Sequence, residues 1–130
     1  MFPTAATFEG QAMMLAQLRT ELETLRSGSP ASDAGITNLF LSVIESWKQD
    51  PTTPRQLMSN LDRTLGNVWF SQDETHRRVH RLLEEFRSTV ESLGGMTMNE
   101  RLVMFDLMDA WDQVTEEGRH ALYAKLDASP

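Results

Sequence analysis

A chain of 130 residues with 40% hydrophobic and 24% charged residues can bury a core without disulfides or structural metal, and is too apolar to stay unfolded. The formal net charge of −7 repels nucleic-acid phosphates, so direct nucleic-acid binding is not expected. With no cysteine, disulfides, thiolate catalysis and cysteine-based zinc sites are excluded together.

The opening segment, MFPTAATFEG, has no Lys or Arg before Arg19 and no long apolar block, so it does not read as a secretory signal. No apolar run approaches the roughly 18 residues of a membrane span. One cytoplasmic domain covering residues 1–130, with no membrane contact, is the expectation.

Helical periodicity runs from end to end. From Thr7 to Arg26, Phe8, Met14, Leu15, Leu18, Leu22 and Leu25 form a narrow stripe, and the last four keep the 3-4-3 spacing of a coiled-coil seam. That stripe is a candidate surface for self-association into a homo-oligomer. SGSPASDAG, residues 27–35, reads as a flexible linker. A second helix places Ile36, Leu39, Phe40, Val43, Ile44 and Trp47 at i, i+3, i+4 spacing. Pro51 closes it. Thr53, Pro54 and Gln56 then read as an N-cap, a first-turn proline and a capping-box glutamine. The third helix uses Leu57, Met58, Leu61 and Leu65 and ends at Gly66-Asn67, and NVWF at 67–70 is too short for a strand.

Capping boxes at Ser71–Glu74 and Thr97–Glu100 bracket the fourth and fifth helices. The fourth, about Gln72 to Leu93, turns Val79, Leu82, Leu83, Phe86, Val90 and Leu93 inward and stops at Gly94-Gly95. The fifth spans residues 98–114. On a wheel of about 100° per residue, Val103, Met104, Leu107, Met108, Ala110, Trp111 and Val114 fill its core arc. Leu102 and Phe105 fall among the acids of the opposite face. Thr115 caps a short sixth helix carrying Leu122, Tyr123 and Leu126. The fold expected is all-α, a compact bundle of five to six helices.

Chemistry is sparse. His76 and His80, with Glu84, keep a spacing that could share a metal ion. Asp73-Glu74-Thr75-His76 and Glu117-Gly118-Arg119-His120 repeat the carboxylate-x-x-His pattern of di-iron bundles. First-turn acids also arise simply to offset the helix dipole. A bundle metalloprotein with carboxylate and histidine ligands is therefore the alternative, and no metal or other cofactor is the primary expectation. Arg77, Arg78, Arg81 and Arg87 form a cluster in which Asp73–Arg77, Glu74–Arg78 and Arg81–Glu85 are i, i+4 pairs, so it reads as a largely self-paired surface. No nucleophile elbow or phosphate loop is present, so no catalytic residue is assigned.

The remaining signal is the C-terminal third. Residues 96–130 carry seven acids against three bases. Leu102 and Phe105 as apolar anchors, rimmed by Asp106, Asp109 and Asp112, make the expected docking surface for another protein. The function expected is a small non-enzymatic adaptor, inhibitor or assembly factor. An acidic mimic of nucleic acid, blocking a basic groove, is a further alternative.

Overall fold

The computed structural model describes residues 13–128, which contain seven α-helices, one 3₁₀ turn and no strand. Phe8 and the rest of the expected first helix before Met13 lie outside the described residues. Helices α1 (Leu15–Ser27), α2 (Ala31–Gln49), α3 (Pro54–Gly66) and α4 (Asp73–Glu91) pack in chain order, and α4 returns to α1, closing a four-helix ring. After a 3₁₀ turn at Leu93–Gly95 come three short helices, α5 (Met98–Met104), α6 (Met108–Gln113) and α7 (Glu116–Lys125).

The expected linker is mostly helix. Pro30, with φ −58°, occupies the N-cap position of α2, so only Gly28–Pro30 separate α1 from α2. Its first turn supplies Asp33, fully buried, whose carboxylate accepts from the backbone N–H of Ser71 at 2.7 Å and of Gln72 at 3.3 Å. A carboxylate from α2 therefore satisfies amides at the start of α4. The expected capping box at Ser71–Glu74 makes no side-chain cap bond. At the other end, Thr89 of α4 exchanges two hydrogen bonds with the backbone of Met13, at 2.9 and 2.8 Å. These two clasps set adjacent helices antiparallel and leave the α3–α4 loop at the end opposite the chain's entry.

The Ser71 amide, with Gln72 and the Thr75 hydroxyl in support, holds the Asp33 carboxyl below its ordinary value, against the opposing effect of burial. A carboxylate with a depressed folded pKa stabilises the fold above its unfolded pKa, and that contribution disappears as pH falls through the folded value. Thermal denaturation from pH 7 downward should show stability falling from about pH 4. An Asp33→Asn variant should melt lower at pH 7 and show a shallower acid slope, and an unchanged slope would remove Asp33 from this role.

The stripe Leu15, Leu18, Leu22 and Leu25 is buried inside the ring, against α2 and α4. It is core and not a self-association surface. A leucine seam looks the same whether the partner helix lies in the same chain or in another.

Thr97–Glu100 forms the expected reciprocal capping box, with Glu100 N–H to Thr97 Oγ1 at 3.1 Å and Thr97 N–H to Glu100 Oε1 at 2.8 Å. The helix it opens ends after seven residues. Asp106 adopts φ 59°, and the N–H groups of Leu107 and Asp106 bond the carbonyls of Leu102 (2.8 Å) and Val103 (3.2 Å). That pair of bonds is a Schellman stop with aspartate in the left-handed position usually held by glycine. The expected fifth helix is thus two helices, which raises the count to seven.

The left-handed backbone costs a non-glycine residue roughly 1 kcal/mol. Asp106 offsets it through the Lys48 ammonium, 2.7 Å from its carboxylate. Asp106→Gly should leave the melting temperature nearly unchanged, because strain and ion pair are lost together. Asp106→Ala should lower stability by about 1–2 kcal/mol. Equal melting temperatures for the two variants would refute this.

Candidate functional site

The helix break moves Leu102 and Phe105 off the surface. Both are 0% exposed. Phe105 meets Trp47 of α2 and Phe86 of α4, with ring centroids 6.1 and 5.9 Å apart. In seven-residue α5 the inward set is Arg101, Leu102 and Met104. The phase of the single-helix wheel is lost at Asp106, so three residues of its core arc, Val103, Met108 and Val114, are exposed instead. Leu102 and Phe105 therefore cannot anchor a partner. Asp106 is not a free rim acid either, because it pairs with Lys48. Asp109 and Asp112 remain exposed on α6, a helix with no buried residue.

Two buried cations organise this C-terminal cap, Lys125 tying it to the ring and Arg101 tying its own segments together. Lys125, 3% exposed, lies 3.8 Å from the Trp47 ring centroid and donates to the backbone carbonyls of Trp47, Asp50 (2.6 Å) and Thr52 (3.0 Å). It thereby caps the C-terminus of α2, where cations are favoured. Burial pushes its ammonium below the ordinary lysine value, opposed by Asp50. Asp50, raised by burial but held down more strongly by the Thr52 hydroxyl and amide and by Lys125, ends below the ordinary carboxylate range. Arg101 donates to the carbonyls of Met96 (3.1 Å) and Leu126 (2.9 Å), capping α7 in the same manner.

The histidines do not converge. His76 sits in the first turn of α4, edge-on to Phe70 with centroids 6.0 Å apart. His120 lies on α7 in the cap, at the other end of the ring, beside Trp111, Val114, Glu116 and Tyr123. Among the described residues no three His, Asp or Glu side chains stand close enough to share a metal ion. The glycine of Glu117-Gly118-Arg119-His120 has a packing origin, since a Cβ there would meet the Val114 Cβ at 2.6 Å. The arginine pairs of α4 also differ from expectation. Arg77 reaches Glu74 at 3.5 Å, and Arg87 grips Asp62 of α3 with two bonds of 2.9 and 2.6 Å. Arg78 and Arg81 form no ion pair among the described residues.

The most exposed large apolar side chain lies elsewhere. Trp69, in the α3–α4 loop, is 91% exposed. Phe70, its neighbour, is buried and stacks on Phe40 at 6.4 Å, so the loop is anchored while the indole stands in water. Val68 links Trp69 to an open groove of about 630 Å³ between α2 and α3, whose apolar wall is Leu39, Val43 and Trp47. Leu39 is 49% exposed. The groove's polar lining is Ser42, Ser46, Asn60, Thr64 and Asn67, with Arg63 and Asp50 as its charged residues. Trp69 follows a helix stop in the segment NVWFS, and an indole in such a turn is the signal that sequence reasoning can use.

Comparison with protein-family models, curated proteins and solved structures returns no match. No helix among the described residues is long and apolar enough to cross a membrane.

Proposed function

We propose that the chain is a small protein-binding module, an adaptor, inhibitor or assembly factor that acts by docking and not by catalysis. The observation that carries this reading is Trp69 at 91% exposure, continuous through Val68 with the Leu39–Val43 groove. A single exposed apolar residue is ordinary. An exposed indole beside an apolar groove with few charges has the make-up of an interface centre, which is depleted of charge and enriched in tryptophan and arginine. Burying roughly 150–200 Å² of indole at about 25 cal/mol per Å² is worth on the order of 4 kcal/mol before losses.

This surface replaces the expected one at Leu102 and Phe105. It also favours apolar docking over mimicry of nucleic acid, because the groove's single acid is Asp50. A second surface, where Val103, Met108 and Val114 are exposed on helices that also carry Asp109 and Asp112, has smaller and less exposed apolar groups.

The test is affinity capture with the purified chain, identification of the retained protein, and titration of the purified pair. Trp69→Ala should weaken the complex by about 30-fold or more, the size of a hot-spot loss of ~2 kcal/mol. The stability of the variant should stay within about 0.5 kcal/mol of wild type, as expected for a surface position. Unchanged affinity would exclude this surface.

A further inference from the structure

Resting on that reading of the Trp69 surface, we infer that its occupant is a second copy of this chain, placed by a two-fold axis so that each Trp69 enters the α2–α3 groove of the other. Closed symmetric dimers use one patch on both copies, so that patch must carry a projection and a matching recess. Here both are present. Trp69 projects at one end, and the groove runs from Val68 beside it to Trp47 and Asp50 at the other end of α2.

Charge selects the same occupant. Two chains of −7 repel one another, and their contact must use the face that adds least to this repulsion. The C-terminal cap exposes an excess of acids, among them Asp109 and Glu117, and the face shared by α1 and α4 sets Glu21 and Glu85 against Arg78 and Arg81, four charges that a contact there would have to desolvate. The α2–α3 groove carries one base, Arg63, and one acid, Asp50, and is neutral in sum. They are also well separated along it. Arg63 lies in the last turn of α3 towards Trp69, and Asp50 just past the end of α2, with 41% of its side chain exposed. A two-fold axis across the groove runs the two copies antiparallel and turns each Arg63 towards the opposite Asp50. Like-charge juxtaposition is avoided, and each Asp50, which lies 3.5 Å from Lys125 of its own chain, gains a second cation. A basic partner protein would find one carboxylate in this groove, whereas a second copy finds its own complement twice.

The experiment is sedimentation velocity of the full chain from about 1 to 500 µM, a range spanning the affinities of weak to moderate dimers, at low and high salt. The 14.8 kDa chain should shift with concentration to twice that mass. Trp69→Ala should weaken dimerisation at least about 30-fold. Ser42→Glu, which places an acid of each copy in the shared groove, should leave the chain monomeric throughout. Circular dichroism and melting temperature of both variants should match wild type, since both positions are exposed. A wild-type chain that stays monomeric at all concentrations overturns the inference, as does a dimer that survives Ser42→Glu. The docking reading fails separately: a monomeric chain that still binds a different purified protein, with loss on Trp69→Ala, keeps the surface and replaces the occupant.

Discussion

Phe105→Asp should abolish folding. The side chain is fully buried between Trp47 and Phe86, at the seam where the C-terminal cap meets the four-helix ring. Truncation to alanine alone should cost about 3–5 kcal/mol, from lost transfer energy and the cavity left behind. That is a large share of the roughly 5–15 kcal/mol that holds a domain together. A carboxylate adds an unpaired charge in an apolar site, which the remaining stability cannot offset. Urea titration followed by circular dichroism should show Phe105→Ala with a much lower midpoint and Phe105→Asp without a folded baseline. A folded Phe105→Asp protein would mean that the residue is exposed and that the cap is placed differently.

The second large effect is expected at Lys125. Its ammonium is enclosed by three backbone carbonyls and the Trp47 ring, a set that no water molecule reproduces in one place. Lys125→Met keeps the aliphatic stem over the indole and removes the charge and the donors. The carbonyls of Trp47, Asp50 and Thr52 then lose their shared partner, at a cost on the order of 3 kcal/mol. The loss should be felt first in the cap, where α6 contributes no buried residue and the remaining tie to the ring is apolar packing such as Phe105 on Trp47 and Phe86. Amide hydrogen exchange should rise first across α5 to α7 while α1 and α4 stay protected. Uniform acceleration across all helices would show instead that cap and ring unfold as one unit.

How much of this was legible in the sequence depends on the range of the interaction that decides each feature. Helix starts at Thr53, Thr97 and Thr115 were readable because an N-cap is settled within about four residues. The core positions of α3 and α4 largely followed from periodicity, whereas in α2 the pattern also named Leu39, which is 49% exposed, and left out Leu41, which is buried. The break at Asp106 was not readable. Residues 98–114 have the periodicity of one helix, and the stop comes from a left-handed aspartate held by Lys48, 58 residues away. That single residue decided the fate of Leu102 and Phe105 and so moved the candidate surface.

Asp33 was hidden for a related reason. SGSPASDAG has the composition of a linker, and its aspartate becomes structural only when the backbone amides of Ser71 and Gln72, from the α3–α4 loop, arrive to donate to it.

 Lys125 and Arg101 did leave a trace, since Lys125 falls in phase with Leu122 and Leu126, and Arg101 is followed directly by Leu102. A base in the apolar phase of a helix is either an error of phase or a cap for another helix end, and here both serve as caps. The tryptophan of NVWFS marks a turn, but a short loop gives no period from which its exposure could be read. Exposure is a property of the whole fold and not of a local pattern.

In the docking reading, the Trp69 surface is where this protein meets its partner. Hydroxyl-radical footprinting of the purified chain, alone and in complex, tests it most directly by reading side-chain access residue by residue. Trp69 should be among the first residues oxidised in the free chain and protected in the complex, while Met108 reacts equally in both. Protection of Met108 with Trp69 left fully reactive would contradict it and return the docking surface to the acidic C-terminal cap.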